Sequence, residues 1–313
     1  MATFLVTGGA GFIGSHVCDR LLAEGDTVIA VDDLSRGRAS NLREAQSYRG
    51  RFSFHRVDVR SDGPEELFAA CRPDVVFHLA AQSGVRPSLR DPMLDAEINV
   101  VGLLRVLEAA RRSEVRKVIF AGSGGTLYGR PRRLPARERA RYGARPENPY
   151  AISKKVAEDY LRFYRARHGL DFTFLAMSNV YGPRQNPHGE AGVVAVFAEA
   201  MLGGRSPTIF GTGDQTRDYV YVTDVADAFH RAIDRASGRL LNIATGLETS
   251  VSAIHELVAR ETGYDGEPVF GPSQGDDLPR SSLDPSLAAQ VLGWRPTIAL
   301  EEGIRLTVGS LRR

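Results

Sequence analysis

The chain has 313 residues, 42% of them apolar and 25% charged, and its 40 basic and 38 acidic residues leave a formal net charge of +2. A chain of this length buries roughly 75% of its extended surface on folding, which allows one large domain or two modest ones and excludes collagen, a coiled coil, a disordered chain or a disulfide-stapled miniprotein. The scattered, nearly cancelling charges argue against a nucleic-acid partner, and no stretch reaches the roughly 20 apolar residues of a membrane span.

The first element is the apolar run Phe4-Leu5-Val6, which ends in Thr7-Gly8-Gly9-Ala10-Gly11-Phe12-Ile13-Gly14 and is followed by a helical pattern through Leu22. A second run, Val28 to Val31, closes at Asp32. Strand, glycine turn, helix and strand in this order predict a parallel βαβ unit. The order recurs with Phe52–Val57 ending at Asp58, Val75–His78 ending at Leu79 and Lys117–Phe120 ending at Ala121. A helix is expected over Glu97–Arg112, another from Tyr150 after the breaker Glu147-Asn148-Pro149, and a further strand over Phe172–Leu175. These elements predict a Rossmann-type, doubly wound parallel α/β sheet over residues 1–180. A smaller α/β region over 181–313 is expected to bind substrate, with the chain able to cross back to the first domain. Met1–Thr7 carries no basic segment or long apolar region, so no export peptide is expected. Cys18 and Cys71 lie in apolar helical contexts, so both are expected to be reduced, in a cytoplasmic protein, and they cannot build a metal centre.

Gly8, Gly11 and Gly14 form a G-x-x-G-x-x-G triplet, a spacing variant of the dinucleotide fingerprint. It offers a tight turn, close backbone approach to a pyrophosphate and a helix N-terminus. Asp32 stands 18 residues beyond Gly14 at a strand end, where a carboxylate accepts both ribose hydroxyls and repels a ribose phosphate. NAD is therefore favoured over NADP. Asp58, followed by Val59, ends the third strand at the same edge and either reads an adenine amino group or caps a turn. Tyr150 and Lys154 stand four residues apart, on one helical face. A lysine cation beside a phenol, together with the cation of NAD, favours the phenolate and makes a catalytic base. Ser123 and Thr126 follow the strand at Phe120-Ala121 and bring hydroxyls to that edge.

In this order the motifs resemble the extended short-chain dehydrogenase/reductase family, and within it the NAD-dependent nucleotide-sugar epimerases, most closely the bacterial UDP-glucose 4-epimerase type. The likeness spans nearly the whole chain. It rests on Thr7–Ser15, His78-Leu79-Ala80-Ala81-Gln82, Ser123–Gly129, Pro149–Lys154, Asn179–Gln185, Arg217–Val222 and Gly293-Trp294-Arg295-Pro296. The resemblance implies that Tyr150 takes the proton of a sugar 4-hydroxyl, that Lys154 tunes the phenol and holds the nicotinamide ribose, and that bound NAD is recycled. Phe12, Ile13, Leu79, Ala80 and Ala81 are then expected against the cofactor. Ser83, Arg86, Ser88, Thr126, Asn179, Arg217, Tyr219 and Arg280 are expected against the UDP-sugar, with Val193 and Phe197 near the base or else in ordinary helix packing. A homodimer is implied as well.

Two departures stand out. Gly124 occupies the place where many relatives carry an assisting serine, which leaves Thr126 or Ser123 to supply that hydroxyl, and Gln274 stands where relatives often carry an arginine. No acid pair follows the hydroxyl, since Leu127 comes after Thr126, which argues against a 4,6-dehydratase. UDP-glucuronate 4-epimerase is the nearest rival, on Gln82-Ser83-Gly84-Val85-Arg86; Asn186 and Glu190 argue against it. A silent NAD-binding scaffold is the alternative of another class.

Overall fold

The computed structural model describes residues 1–188, 192–273 and 278–312. In chain order the first half is β1 (Thr3–Thr7), α1 (Phe12–Ala23), β2 (Thr27–Asp32), β3 (Phe52–Arg56), α2 (Gly63–Cys71), β4 (Val75–His78), α3 (Val85–Arg90), α4 (Pro92–Ala96), a π-helical turn (Glu97–Val101), α5 (Gly102–Arg112), β5 (Lys117–Ser123), α6 (Gly124–Leu127), α7 (Pro149–His168) and β6 (Asp171–Met177). The second half brings β7 (Asn179–Tyr181), α8 (Val193–Leu202), β8 (Thr208–Phe210), β9 (Thr216–Arg217), β10 (Tyr219–Tyr221), α9 (Val222–Arg231) and β11 (Arg239–Ile243). It then continues through several further helices to Leu311.

Seven parallel strands form one sheet in the order β11-β6-β5-β4-β1-β2-β3. The order reverses between β1 and β4, and at such a switch point the loops beyond the strand ends part to leave a crevice. The strands read as near-continuous apolar runs because both faces are covered. Val6, Phe77, Ile119 and Leu175 join Val17, Leu21 and Phe229 in one core layer, and Leu5, Val76, Phe120 and Phe174 join Leu103, Leu107 and Leu161 in the other. β11 comes from the second half of the chain and pairs in register with β6, Leu241 opposite Leu175. Trp294, also from that half, is buried in the first layer, with Nε1 donating to Asp224 O at 2.8 Å. A third core, with Tyr181, Phe197, Tyr219 and Ile254, holds the C-terminal region together.

The helix expected over Glu97–Arg112 differs from the one observed. Helical structure begins at Pro92, where Asp91 caps α4 by accepting from Leu94 N at 2.9 Å, and the π turn intervenes before α5. The extra residue of the turn accompanies the burial of Asn99, whose amide is bonded on the sheet side.

Candidate active site

The glycine triplet is shaped by what a side chain would strike. Gly8 has φ +69°, and a Cβ there would lie 2.7 Å from Ala80 N; one at Gly14 would lie 2.1 Å from Gly8 O. Gly11 N–H donates to Gly8 O at 3.0 Å, closing the turn, and Gly11 then caps α1 without a side chain to satisfy the first-turn N–H groups. Those groups point out of the helix N-terminus and suit an anion. Asp32, buried at the end of β2, accepts from Ala10 N at 3.1 Å and Leu34 N at 2.8 Å. Burial raises its pKa, while those backbone donors pull it down. The same carboxylate thus braces the turn from behind, and a Cβ at Gly37 would meet its oxygens at 2.7 Å.

Thr7 and His78, at the ends of β1 and β4, close the floor between them. Thr7 Oγ1 meets His78 Nδ1 at 2.8 Å and accepts from Ala80 N at 3.2 Å. Burial depresses His78 to about 3, the charge of Lys154 adding to it, so the ring is neutral. This stitch holds Leu79 and Ala80 close against the glycine turn. His78 stood within a quoted motif, but its partner lies 71 residues away.

Asn148 and Pro149 start α7, the Asn148 side chain accepting from Ala151 N at 2.9 Å and proline taking the first helical position. One turn of helix then sets Tyr150 and Lys154 against the end of β5. Lys154 is buried; its Nζ donates to Ala121 O at 3.1 Å and lies 4.7 Å from the Phe120 ring centroid and 5.7 Å from that of Tyr150. Burial lowers its pKa to about 8, against an upward pull from the Asp95 carboxylate. Burial likewise pushes the Tyr150 phenol up to about 12; a hydrogen bond with Ser123 pulls it back and Asp95 pushes it further up. The chain's own groups therefore hold the phenol protonated. The expectation that Lys154 and the NAD cation together favour the phenolate concerns the loaded protein; in the chain alone burial is the largest influence. Thr126 sits on α6, its hydroxyl 3.5 Å from Ser123 O.

Behind the pair lies a polar cluster that sequence reasoning missed. Asp95, Asn99, Gln82 and Ser153 are all buried. Asp95 accepts from Ser153 Oγ at 2.6 Å, Gln82 Nε2 at 2.9 Å and Asn99 Nδ2 at 3.0 Å, and Asn99 also exchanges two bonds with the Gln82 backbone.

The remaining expected residues divide. Asn179 on β7 is exposed and pairs in register with Tyr219 on β10, which is buried edge-on to Tyr181; Arg217 lies just ahead of it, its Nη1 donating to Thr216 O and Leu278 O. Asp218 between them accepts from Thr245 N, Gly246 N and Leu283 N at 2.9, 2.9 and 3.2 Å and fixes this strip. Ser83 and Arg86 are exposed at the start of α3. Ser88 is fully buried and donates to Val85 O at 2.7 Å, so its hydroxyl is spent on its own helix. Val193 opens α8, whereas Phe197 is buried edge-on to His255, which is core packing. Asp58 is clasped by Arg60, with Nη2 at 2.6 Å, which holds the carboxyl below its usual pKa; Val59 is buried beside it. Arg280 forks onto Glu248 at 2.8 and 2.7 Å and depresses that carboxyl to about 2. Gln274 and Glu190 lie outside the described residues.

Several known proteins resemble the chain over its whole length. It is 50% identical over 309 residues to a UDP-glucose 4-epimerase of Mycolicibacterium smegmatis, covering 98% of each sequence. The structure of a UDP-glucose 4-epimerase with UDP-glucose from Thermotoga maritima superposes with a TM-score of 0.95 at 44% identity, covering 99% of this chain and 98% of that one. A Thermus thermophilus UDP-glucose 4-epimerase in complex with NAD superposes with a TM-score of 0.91 at 42% identity, over 99% of both chains. The model of the NAD-dependent epimerase/dehydratase family matches residues 4–244, and the chain belongs to that family.

Proposed function

We propose that the protein interconverts UDP-glucose and UDP-galactose by inverting C4 through a transient 4-keto sugar, with NAD held throughout. One observation carries the reading: Tyr150, Lys154 and Ser123 converge at the end of β5, beside a glycine turn whose Cβ-free surface and uncapped helix suit a dinucleotide.

Gly8, Gly11 and Gly14 would admit the pyrophosphate and Asp32 the adenine ribose, with Phe12, Ile13 and the Leu79–Ala81 segment lining the cleft. Bound NAD supplies a hydride acceptor that becomes a hydride donor, and its positive charge complements the phenolate that burial alone disfavours. Tyr150 Oη takes the 4-hydroxyl proton as C4 becomes a ketone, and returns it when the ketone is reduced from the opposite face. Ser123 and Thr126 offer hydroxyls to the same oxygen. Lys154 is spared as a cation only narrowly, which suits a group meant to stabilise the phenolate nearby. Asn179, Arg217 and Tyr219 would keep the diphosphate end in place while the sugar turns, a task that suits the planar fork of arginine.

Tyr150→Phe tests the base. The variant is expected to retain NAD and lose at least about a hundredfold in kcat; near-normal turnover would remove Tyr150 from the role. Comparison of kcat/KM on UDP-glucose, UDP-glucuronate and dTDP-glucose tests the sugar. The glucuronate arm is worth including because Arg86 is exposed and its cation suits a carboxylate.

The reading includes a cytoplasmic homodimer. No described helix is long and apolar enough to cross a membrane, and both cysteines are free. Leu89, Met93, Leu94, Val101, Ile152 and Phe163 are exposed along α3, α4, the π turn and α7, an apolar strip of the kind an isologous contact covers. Light scattering across a concentration series checks this, with a strictly monomeric mass as the contrary result.

A further inference from the structure

Asp95, on α4, is a carboxylate with no exposure at all, and it bonds Ser153 of α7. Buried carboxylates are costly unless every lone pair is used, and removing one partner of such a cluster costs more than the cluster contributes. Here the three donors come from three separate elements: Ser153 from α7, Gln82 from the loop after β4, and Asn99 from the π turn. Ser153 stands directly before Lys154. Gln82 stands two residues after Ala80, which with Leu79 meets the glycine turn.

We propose that Asp95 is a positioning residue for the Tyr150–Lys154 pair, tying α7 to the loop after β4 through Ser153, Gln82 and Asn99 and setting one fixed negative charge behind the phenol and the ammonium. The proposal rests on the role given to Tyr150 above. α7 and the floor of the dinucleotide cleft then move as one body, so the phenol keeps its distance to whatever the cleft holds.

The charge has a second consequence. Asp95 raises both the Tyr150 and the Lys154 pKa. From α7 these two ionisable groups face it. The other ionisable groups on the packed elements include Lys155 and Glu158 on α7, engaged with Ala144 O and Arg141, Arg86 and Arg90 on α3, Asp91 at the start of α4, and Glu97 on the π turn, whose partner at 3.8 Å is Arg60. None of them bonds the Asp95 carboxylate among the described residues. Loss of the Asp95 charge therefore lowers both pKa values together, and the acid and alkaline limbs of the rate profile move to lower pH in the same sense.

Asp95→Asn separates charge from contact. The amide oxygen can face Gln82 and Asn99 while its nitrogen donates to the Ser153 hydroxyl, so the three contacts survive and the charge does not. NAD content and KM are expected to stay near wild type while the kcat/KM profile slides about half a unit or more toward acid, as an ion-ion coupling of ordinary strength requires. Asp95→Ala removes charge and contacts alike and is expected to lower kcat at least about tenfold. An Asn profile that superimposes on the wild-type one overturns the charge role, and wild-type kcat in a folded Ala variant overturns the positioning role. Should the Ala variant not fold, the Asn profile still decides. Tyr150→Phe in the same assay keeps the two ideas apart: an active Phe variant defeats the base assignment, whereas an inactive one beside wild-type-like Asp95 variants defeats only the present inference.

Discussion

Replacing Gly14 by alanine puts the smallest side chain at the point where helix α1 leaves the fingerprint turn. The new Cβ would lie 2.1 Å from Gly8 O, 2.9 Å from Gly8 C and 3.1 Å from Gly9 Cα. A carbon normally meets a carbonyl oxygen no closer than about 3.3 Å, so the helix start and the turn must separate by roughly 1 Å. No flexible side chain can absorb this, because every atom struck is backbone. Overpacking of this size costs about 1–3 kcal/mol of stability, and a displacement of roughly 1 Å at a positioned ligand costs about a hundredfold in function. The expected result is a folded protein, a few degrees less stable, that purifies with little nucleotide. NAD content is measured by absorbance after heat release and Tm by calorimetry. Gly125→Ala is the control, since a Cβ there meets nothing within 4 Å. Wild-type NAD content in Gly14→Ala would refute the claim that this contact shapes the cleft.

Asp32→Asn keeps the contact with Leu34 and removes the charge; the discrimination of NAD over NADP is expected to shrink at least about tenfold, read as the ratio of dissociation constants, and an unchanged ratio would take Asp32 away from the ribose. Asp218→Ala strands the N–H groups of Thr245, Gly246 and Leu283, and at about 1–3 kcal/mol for each buried donor left unpaired, unfolding in urea should show a loss of about 3–5 kcal/mol after partial relaxation. A loss below about 1 kcal/mol would mean that water or a backbone shift repairs the strip easily.

The parts of the site that were legible in the sequence are those whose geometry is local. The glycine turn, Asp32 at the next strand end, and Tyr150 with Lys154 one helical turn apart are each set by a few consecutive residues. The strand order follows from βα alternation, because right-handed crossovers leave little freedom. What was not legible depends on partners distant in the chain. Arg280 was assigned to an anion by its place in a motif, yet Glu248, 32 residues earlier, occupies its fork. Phe197 had two readings, and only the packing of α8 against His255 selects the core. Asp95 had no motif at all, because its donors lie 13, 4 and 58 residues away. The π turn was equally hidden: one extra residue leaves the apolar pattern of α5 intact while turning Asn99 inward. A linear pattern reports which face of an element is apolar, but a buried polar cluster is a property of three elements meeting. Asp95 adds its charge to the burial and the Ser123 hydrogen bond that act on Tyr150, and it is the one of these contributions that no motif contains.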